Sequence, residues 1–299
     1  MKLDEIPIFV LLPSRRGELT GPDALRNVCR MWFDSFLKIR GQVSRGVAVA
    51  LGTLPIAAMF LLWWLFTLGP PEERRIAPTI LPSPIEVAQS IPELVNGRDL
   101  PHHVWASVRR VSVSFVLSLI IVLPLGILMG SFGSVGAVFT PVSTASGYIP
   151  IATLVPLTMS WFGIDELQKI MFLAMAFGIY LLPLVVNAIQ SVPDVYLRTS
   201  YTLGATRFDV IRRVLIPVAL PELWHAMRLA FGVGWTYIVL AEVVVMVDGL
   251  GFLVQNSFRR GPREHIYLVI LVITLIAWAA DLAWQKLGYA LFPYRRDRL

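Results

Sequence analysis

The sequence has a single cysteine, Cys29, in 299 residues. No internal disulfide can form, and no second thiol is present to share a metal. Lysine is also scarce. Lys2, Lys38, Lys169 and Lys286 are the whole set, and none follows a glycine. A phosphate-cradling loop needs Gly-Lys followed by Ser or Thr, so ATP hydrolysis on this chain is excluded. Charged residues make up 15% of the sequence, against about 25% in a soluble domain. His102 and His103 are adjacent, and His225 and His265 stand alone. None has a converging ligand set, which argues against a metal centre. No Ser/His/Asp or paired-carboxylate constellation stands out. The chain therefore reads as non-enzymatic, with no cofactor of its own. It also lacks a repeat of 20–50 residues and any low-complexity tract.

What the sequence has is apolar length. Hydrophobic residues make up 56%, and the mean hydropathy is +0.68. They fall in runs long enough to cross a bilayer. Six spans are expected, at Val47–Leu68, Val111–Ser131, Val135–Phe162, Ile170–Gln190, Ala226–Val247 and Ile266–Leu287. The first run starts too late and is too long for a cleavable signal. An all-α integral membrane protein follows. Several of the nine tryptophans fall near span ends, as an aromatic belt does.

Net charge is +6. In a membrane protein such an excess reflects Lys and Arg kept on the cytoplasmic side, not a nucleic-acid partner. With both termini in the cytoplasm, seventeen of the 26 Lys and Arg fall inside and nine outside. Residues 1–45 form a cytoplasmic N-terminal segment, and 46–299 the transmembrane domain. Within the first, residues 24–40 place Leu25, Val28, Trp32, Phe36 and Ile39 at helical spacing between basic residues. That suits an interfacial helix on an anionic leaflet, or a short helix packed on the protein's own inner face, and the basic flanks favour the first. Residues 69–105 form the one long outer segment, where Pro82, Pro84 and Pro92 favour turns before a short helix.

Three features inside the spans call for explanation. Glu242 is an intramembrane carboxylate. Such a group faces a cavity near the translocation path, or makes an interhelical hydrogen bond, possible also in its protonated form. Pro150 and Pro156 interrupt the third span and free backbone carbonyls, tolerated only beside protein or water. With Trp161 at the end of that span, they mark it as the candidate lining of a pathway. Asp281, near the inner end of the sixth span, is expected to pack or snorkel near Lys286.

The most informative stretch is the cytoplasmic loop 191–223, SVPDVYLRTSYTLGATRFDVIRRVLIPVALPEL. Gly204 ends a first short helix, where a positive φ is cheap only for glycine. Thr206-Arg207-Phe208-Asp209 is a capping box that starts a second. Pro217 and Pro221 are expected to close that second helix. A rigid protrusion on a protein with no soluble domain points to a partner.

This loop resembles the Glu-Ala-Ala loop of ATP-binding-cassette importer permeases. Gly204-Ala205 takes the family's glycine position, and Val214-Leu215-Ile216-Pro217 falls at the distance of its Ile-x-Leu-Pro. Arg198-Thr199-Ser200 replaces the Glu-Ala-Ala triplet, so a base stands where the family has an acid. Leu81-Pro82-Ser83-Pro84, Trp161-Phe162-Gly163-Ile164 and Gly249-Leu250-Gly251-Phe252 are similar to the taurine, sulfonate, nitrate and bicarbonate branch. Gly232-Val233-Gly234-Trp235 with Ala241-Glu242 is closest to taurine- and sulfonate-type members. The resemblance implies a type I importer fold in the bacterial inner membrane, with two permease copies around one pathway. It implies a soluble or lipid-anchored binding protein outside. Inside, it implies two ATPase subunits that hold ATP and Mg and grip Arg198–Ser200, Gly204, Ala205, Thr206, Phe208, Ile216 and Pro217. A secondary transporter or channel needs inverted repeats and paired broken helices. A membrane-embedded hydrolase needs polar clusters within spans. Neither pattern is seen.

Overall fold

A computed structural model describes residues 41–295, apart from 42, 71, 73, 75, 245 and 246. The N-terminal amphipathic stretch 24–40 lies outside the described residues. Among those described, every regular element is helical. The chain divides into two compact units, Met1–Pro70 and Pro71–Leu299.

The first unit contains α1, Arg45–Phe66. Its 22 residues extend about 33 Å, enough for the hydrocarbon core of a bilayer. Pro55 sits inside it, and Thr67 closes it by bonding back to the Trp63 carbonyl at 2.9 Å.

The second unit opens with α2, Pro84–Gln89. Ser83 caps it in a reciprocal box: the Glu86 amide donates to Ser83 Oγ at 3.2 Å, and the Ser83 amide to Glu86 Oε2 at 2.8 Å. Arg74 donates to the same carboxylate at 3.0 Å and holds the Glu86 carboxyl below its usual range. A wide π turn, Glu93–Gly97, leads into α3, Leu100–Ser131. The helix thus begins eleven residues before the expected Val111, because its polar first turns are buried on one side. There His103, Ser107, Arg110 and Ser114 continue the stripe of Val111 and Phe115.

The expected third span is not one helix. It divides into α4, Gly133–Ser146, and a 3₁₀ turn running into α5, Leu154–Phe162. The two halves are bent by 89°. Pro150 explains the break, since it lacks an amide donor and forces extended backbone on its predecessor. Pro156 does not contribute. It lies in the first turn of α5, where amides have no partner within the helix, so it frees no carbonyl. Pro141 is carried inside α4.

The chain then forms α6, Glu166–Gln190, followed by the short α7, Asp194–Thr202, and α8, Arg207–Val210. Contrary to expectation, Pro217 and Pro221 do not end the second short helix. It runs through a π turn, Ile211–Leu215, straight into α9, Ile216–Val244. The widened turn directly precedes Pro217, and Pro221 is carried inside α9. Next come α10, Leu250–Arg260, and α11, Glu264–Leu291. Among the described residues, five helices are long and apolar enough to cross a membrane, or six if the bent pair counts as one span.

Small residues bring α3, α6 and α9 together. Gly126 and Gly130 form a small-xxx-small face on α3. A Cβ on Gly126 would come within 2.5 Å of Val185, and one on Gly130 within 2.7 Å of Ile189, both on α6. On α9, a Cβ at Gly234 would strike Phe177 at 2.2 Å. Phe115 completes the joint, edge-on to Phe177 and Phe231 with centroids 5.1 Å apart in each case. On the far side of α9, Arg228 donates twice to Asp281 of α11, at 2.6 and 2.8 Å. Asp281 is therefore paired with Arg228 and not, as expected, placed by Lys286.

Candidate functional site

Two sites stand at opposite ends of the helices. The first is the corner between α7 and α8. Gly204 has φ +82°, the left-handed conformation its position requires. Its amide donates to the Tyr201 carbonyl and that of Ala205 to Ser200, each at 3.0 Å. This pair of bonds is a Schellman closure of α7. Thr206 then caps α8, its Oγ1 accepting from the Asp209 amide at 3.2 Å. The corner is thus built as its sequence indicates.

The corner is anchored on one side and bare on the other. Val192, Val210 and Leu215 are buried. Beside them a cleft of about 220 Å³ runs to the turn 131–134 between α3 and α4. Outward, Leu203 is 83% exposed and Phe208 69%, and Arg198 and Thr199 are also exposed. Thr199 and Ser200 turn their hydroxyls back onto the carbonyls of Val195 and Tyr196, at 2.8 and 2.7 Å. The triplet therefore offers Arg198 as its outward polar group. Ile216 is half-buried, and Pro217 exposed, where α9 begins.

The second site is a buried charge cluster at the other end of α9. Glu242 and Arg110 are both fully buried. Arg110 Nη1 donates to Glu242 Oε1 at 2.8 Å. Ser107 Oγ lies 2.7 and 2.9 Å from the two carboxylate oxygens, and the Gly251 amide donates to Oε2 at 2.8 Å. This convergence of donors suits an acceptor-only, ionised carboxylate. Arg110 also binds Glu166 through Nε at 2.8 Å, and it pairs with the Asp248 carboxylate. Lys169, almost fully buried, lies 3.2 Å from Glu166.

The turn 247–249 and the first turn of α10 are moulded around Glu242. Gly249 has φ +105°, and a Cβ there would lie 2.2 Å from Glu242 Cδ. A Cβ on Gly251 would meet the Val239 carbonyl at 2.7 Å. The Gly249 and Leu250 amides donate to His103 Nδ1 and Ser107 Oγ, at 3.0 and 2.9 Å. The Gly-Leu-Gly-Phe motif is thus the mould of a buried carboxylate. Its contacts are those of an interhelical anchor that joins α3, α6, α9 and this turn.

Pro150 is exposed at the α4/α5 break, and Pro156 and Trp161 are exposed on α5. Glu242 does not meet them. Sequence reasoning counts Arg110 and Lys169 among the nine outer basic residues and does not foresee their burial or the part of Glu166. The available signal was the i, i+3/i+4 stripe of His103, Ser107, Arg110 and Ser114. Among the described residues, no three His, Cys, Asp or Glu side chains converge to hold a metal.

Residues 122–287 match the family described as binding-protein-dependent transport system inner membrane component. The chain belongs to this family. The permease is 31% identical over 266 residues to the taurine transport system permease protein TauC of Escherichia coli strain K12, covering 87% of this chain and 94% of TauC. It is 25% identical to the nitrate import permease protein NrtB of Leptolyngbya laminosa, over 64% of this chain and 72% of NrtB. Its fold is that of the inward-facing MetNI methionine ABC transporter, with TM-score 0.59 at 22% identity, over 64% of this chain and 95% of that one. It is thus a multi-pass inner membrane subunit of an ABC importer, working with a binding protein and a separate ATPase, and is not itself an enzyme.

Proposed function

We propose that this permease carries a small oxyanion inward, of the taurine or sulfonate, nitrate or bicarbonate type, and that loop 191–223 is its joint with the ATPase. The likeness to TauC over most of both chains supports the substrate class. The observation that carries the coupling role is the Gly204 corner, rigid within and apolar without. Two capped short helices present Leu203 and Phe208 at an end where a soluble partner can reach them. Exposed large apolar groups on a protrusion mark an interaction surface. Arg198 beside them calls for an acidic or neutral partner surface.

The remaining assignments follow from this reading. Both termini and the corner lie in the cytoplasm, as the Lys and Arg bias indicates. Residues 46–299 are the permease domain, and residues 1–45 an N-terminal segment against the membrane. A second copy pairs around the pathway, which the faces of α4 and α5 near Pro150, Pro156 and Trp161 help to line. ATP and Mg reside on two partner subunits. No observation favours an ATP-independent channel.

The test is reconstitution. Permease, its ATPase and its binding protein are placed in liposomes, and import of labelled taurine, an alkanesulfonate or nitrate is followed. ATP-dependent import of at least one anion is expected. Uptake that proceeds equally without the ATPase would overturn the proposal.

A further inference from the structure

The outward faces of the long helices differ in chemistry. In the middle of α3 the exposed positions are mostly apolar, Val113, Val116, Ile120 and Ile121 beside Ser112. On α11 they include Ile270 and Leu275, and Thr274 bonds back to the Ile270 carbonyl at 2.8 Å. These are surfaces that lipid can cover. On α6 and α9 the exposed residues around the middle of the helices are mixed: Tyr180, Pro183 and Asn187, with Leu229, Gly232 and Thr236. Asn187 and Thr236 make no side-chain hydrogen bond among the described residues. A polar group at mid-span, as Thr236 is, does not face hydrocarbon unsatisfied. This face therefore meets water or protein.

The two helices hold one ordered polar contact on that face. Tyr180 Oη and Tyr237 Oη lie 3.0 Å apart, and their rings stack with centroids 6.2 Å apart. A phenol can donate once. Only one of the two protons is used between them, so the other is available to a ligand. Below the pair a groove of about 250 Å³ opens between α6 and α9, lined by Leu184, Asn187, Ser191, Glu222, His225 and Leu229. Glu222 is fifteen residues from Tyr237, about 22 Å along the helix. The tyrosine pair is thus remote from that carboxylate.

We infer that the Tyr180–Tyr237 hydroxyl pair is a contact site for the transported oxyanion within the pathway. The inference rests on the reading of this chain as an anion permease. A neutral donor pair fits that task. A buried arginine would hold an anion, and a carboxylate would reject it. A conducting site must bind well enough to admit its ion and weakly enough to release it. Phenolic protons offer hydrogen bonds without net charge.

The test uses the reconstituted complex with its ATPase and saturating binding protein. The probe is whichever of taurine, an alkanesulfonate or nitrate the wild type imports. Tyr180→Phe, Tyr237→Phe and the double variant keep the stacked rings and remove the hydroxyls. Import per ATP hydrolysed is expected to fall at least about fivefold in the double variant, the factor that loss of one hydrogen bond implies. Complex yield and basal ATPase activity should stay at wild-type levels. Unchanged import would overturn the inference and leave the broader reading intact. So would a parallel loss of yield, import and ATPase activity, which would mark the pair as a clip between helices. Failure of the wild type to import any of these anions in an ATP-dependent manner would overturn both.

Discussion

Arg110 and Glu242, 132 residues apart in sequence, meet at 2.8 Å with neither side chain exposed. Breaking a buried ion pair by removing one partner costs about 3–5 kcal/mol, because the other charge is left uncompensated. The two partners are not equivalent here. Glu242→Gln leaves Arg110 two carboxylates, Glu166 and Asp248. Arg110→Met leaves Glu242 with no cation, and leaves Glu166 and Asp248 only Lys169 and the exposed Arg109. Arg110→Met should therefore lower the thermal stability and membrane abundance of the permease more than Glu242→Gln. Size-exclusion profiles after a heating series measure the difference. Equal stability of the two variants would contradict the hub role of Arg110.

The mould around Glu242 makes a second prediction. Gly249→Ala meets both a positive φ and the carboxylate, and Gly251→Ala meets the Val239 carbonyl. The left-handed backbone alone costs a non-glycine residue about 1–2 kcal/mol. Both variants should lose folded protein, and Gly249→Ala should lose more. Gly52→Ala in α1, with nothing within 4 Å of an added Cβ, should match wild type. Fluorescence-detected yield from membranes decides this. Normal yield of Gly249→Ala would refute the mould.

Orientation gives a third. In a Cys29→Ser background, a cysteine at Gln89 should react with an impermeant maleimide from outside. One at Leu203 should react only after the inner face is opened. Labelling of Leu203→Cys from outside would reverse the topology proposed here.

The spans were legible in the sequence because bilayer crossing demands apolar length, which composition reveals directly. The Gly204 corner was legible for a different reason. Its closure and cap use local chemistry, a glycine at positive φ and a threonine three residues before an aspartate. What composition does not reveal is partnership at long range. Arg110 and Lys169 read as outer-segment charges because hydropathy averages cannot say which face of a helix turn is buried. Asp281 was assigned by proximity in sequence to Lys286, whereas the partner was one helix away in Arg228. Pro217 and Pro221 read as helix ends, because the π turn that precedes them leaves no mark in composition. The 89° break at Pro150 was half legible: the proline was evident, the angle was not.

The central claim is that the Gly204 corner transmits ATPase motion. Gly204→Val adds a β-branched side chain where the backbone is left-handed, and it crowds that conformation further. The corner should open, turning Phe208 away from its partner. The membrane-spanning helices pack elsewhere and should be retained. Phe208→Ala removes the exposed ring and should give a milder defect. The deciding measurement is ATPase co-purification with Gly204→Val permease, set against permease abundance in the membrane and import by the same complex. The account predicts normal abundance, co-purified ATPase reduced at least about tenfold, and no import. Full ATPase recovery together with wild-type import would show that the joint lies elsewhere.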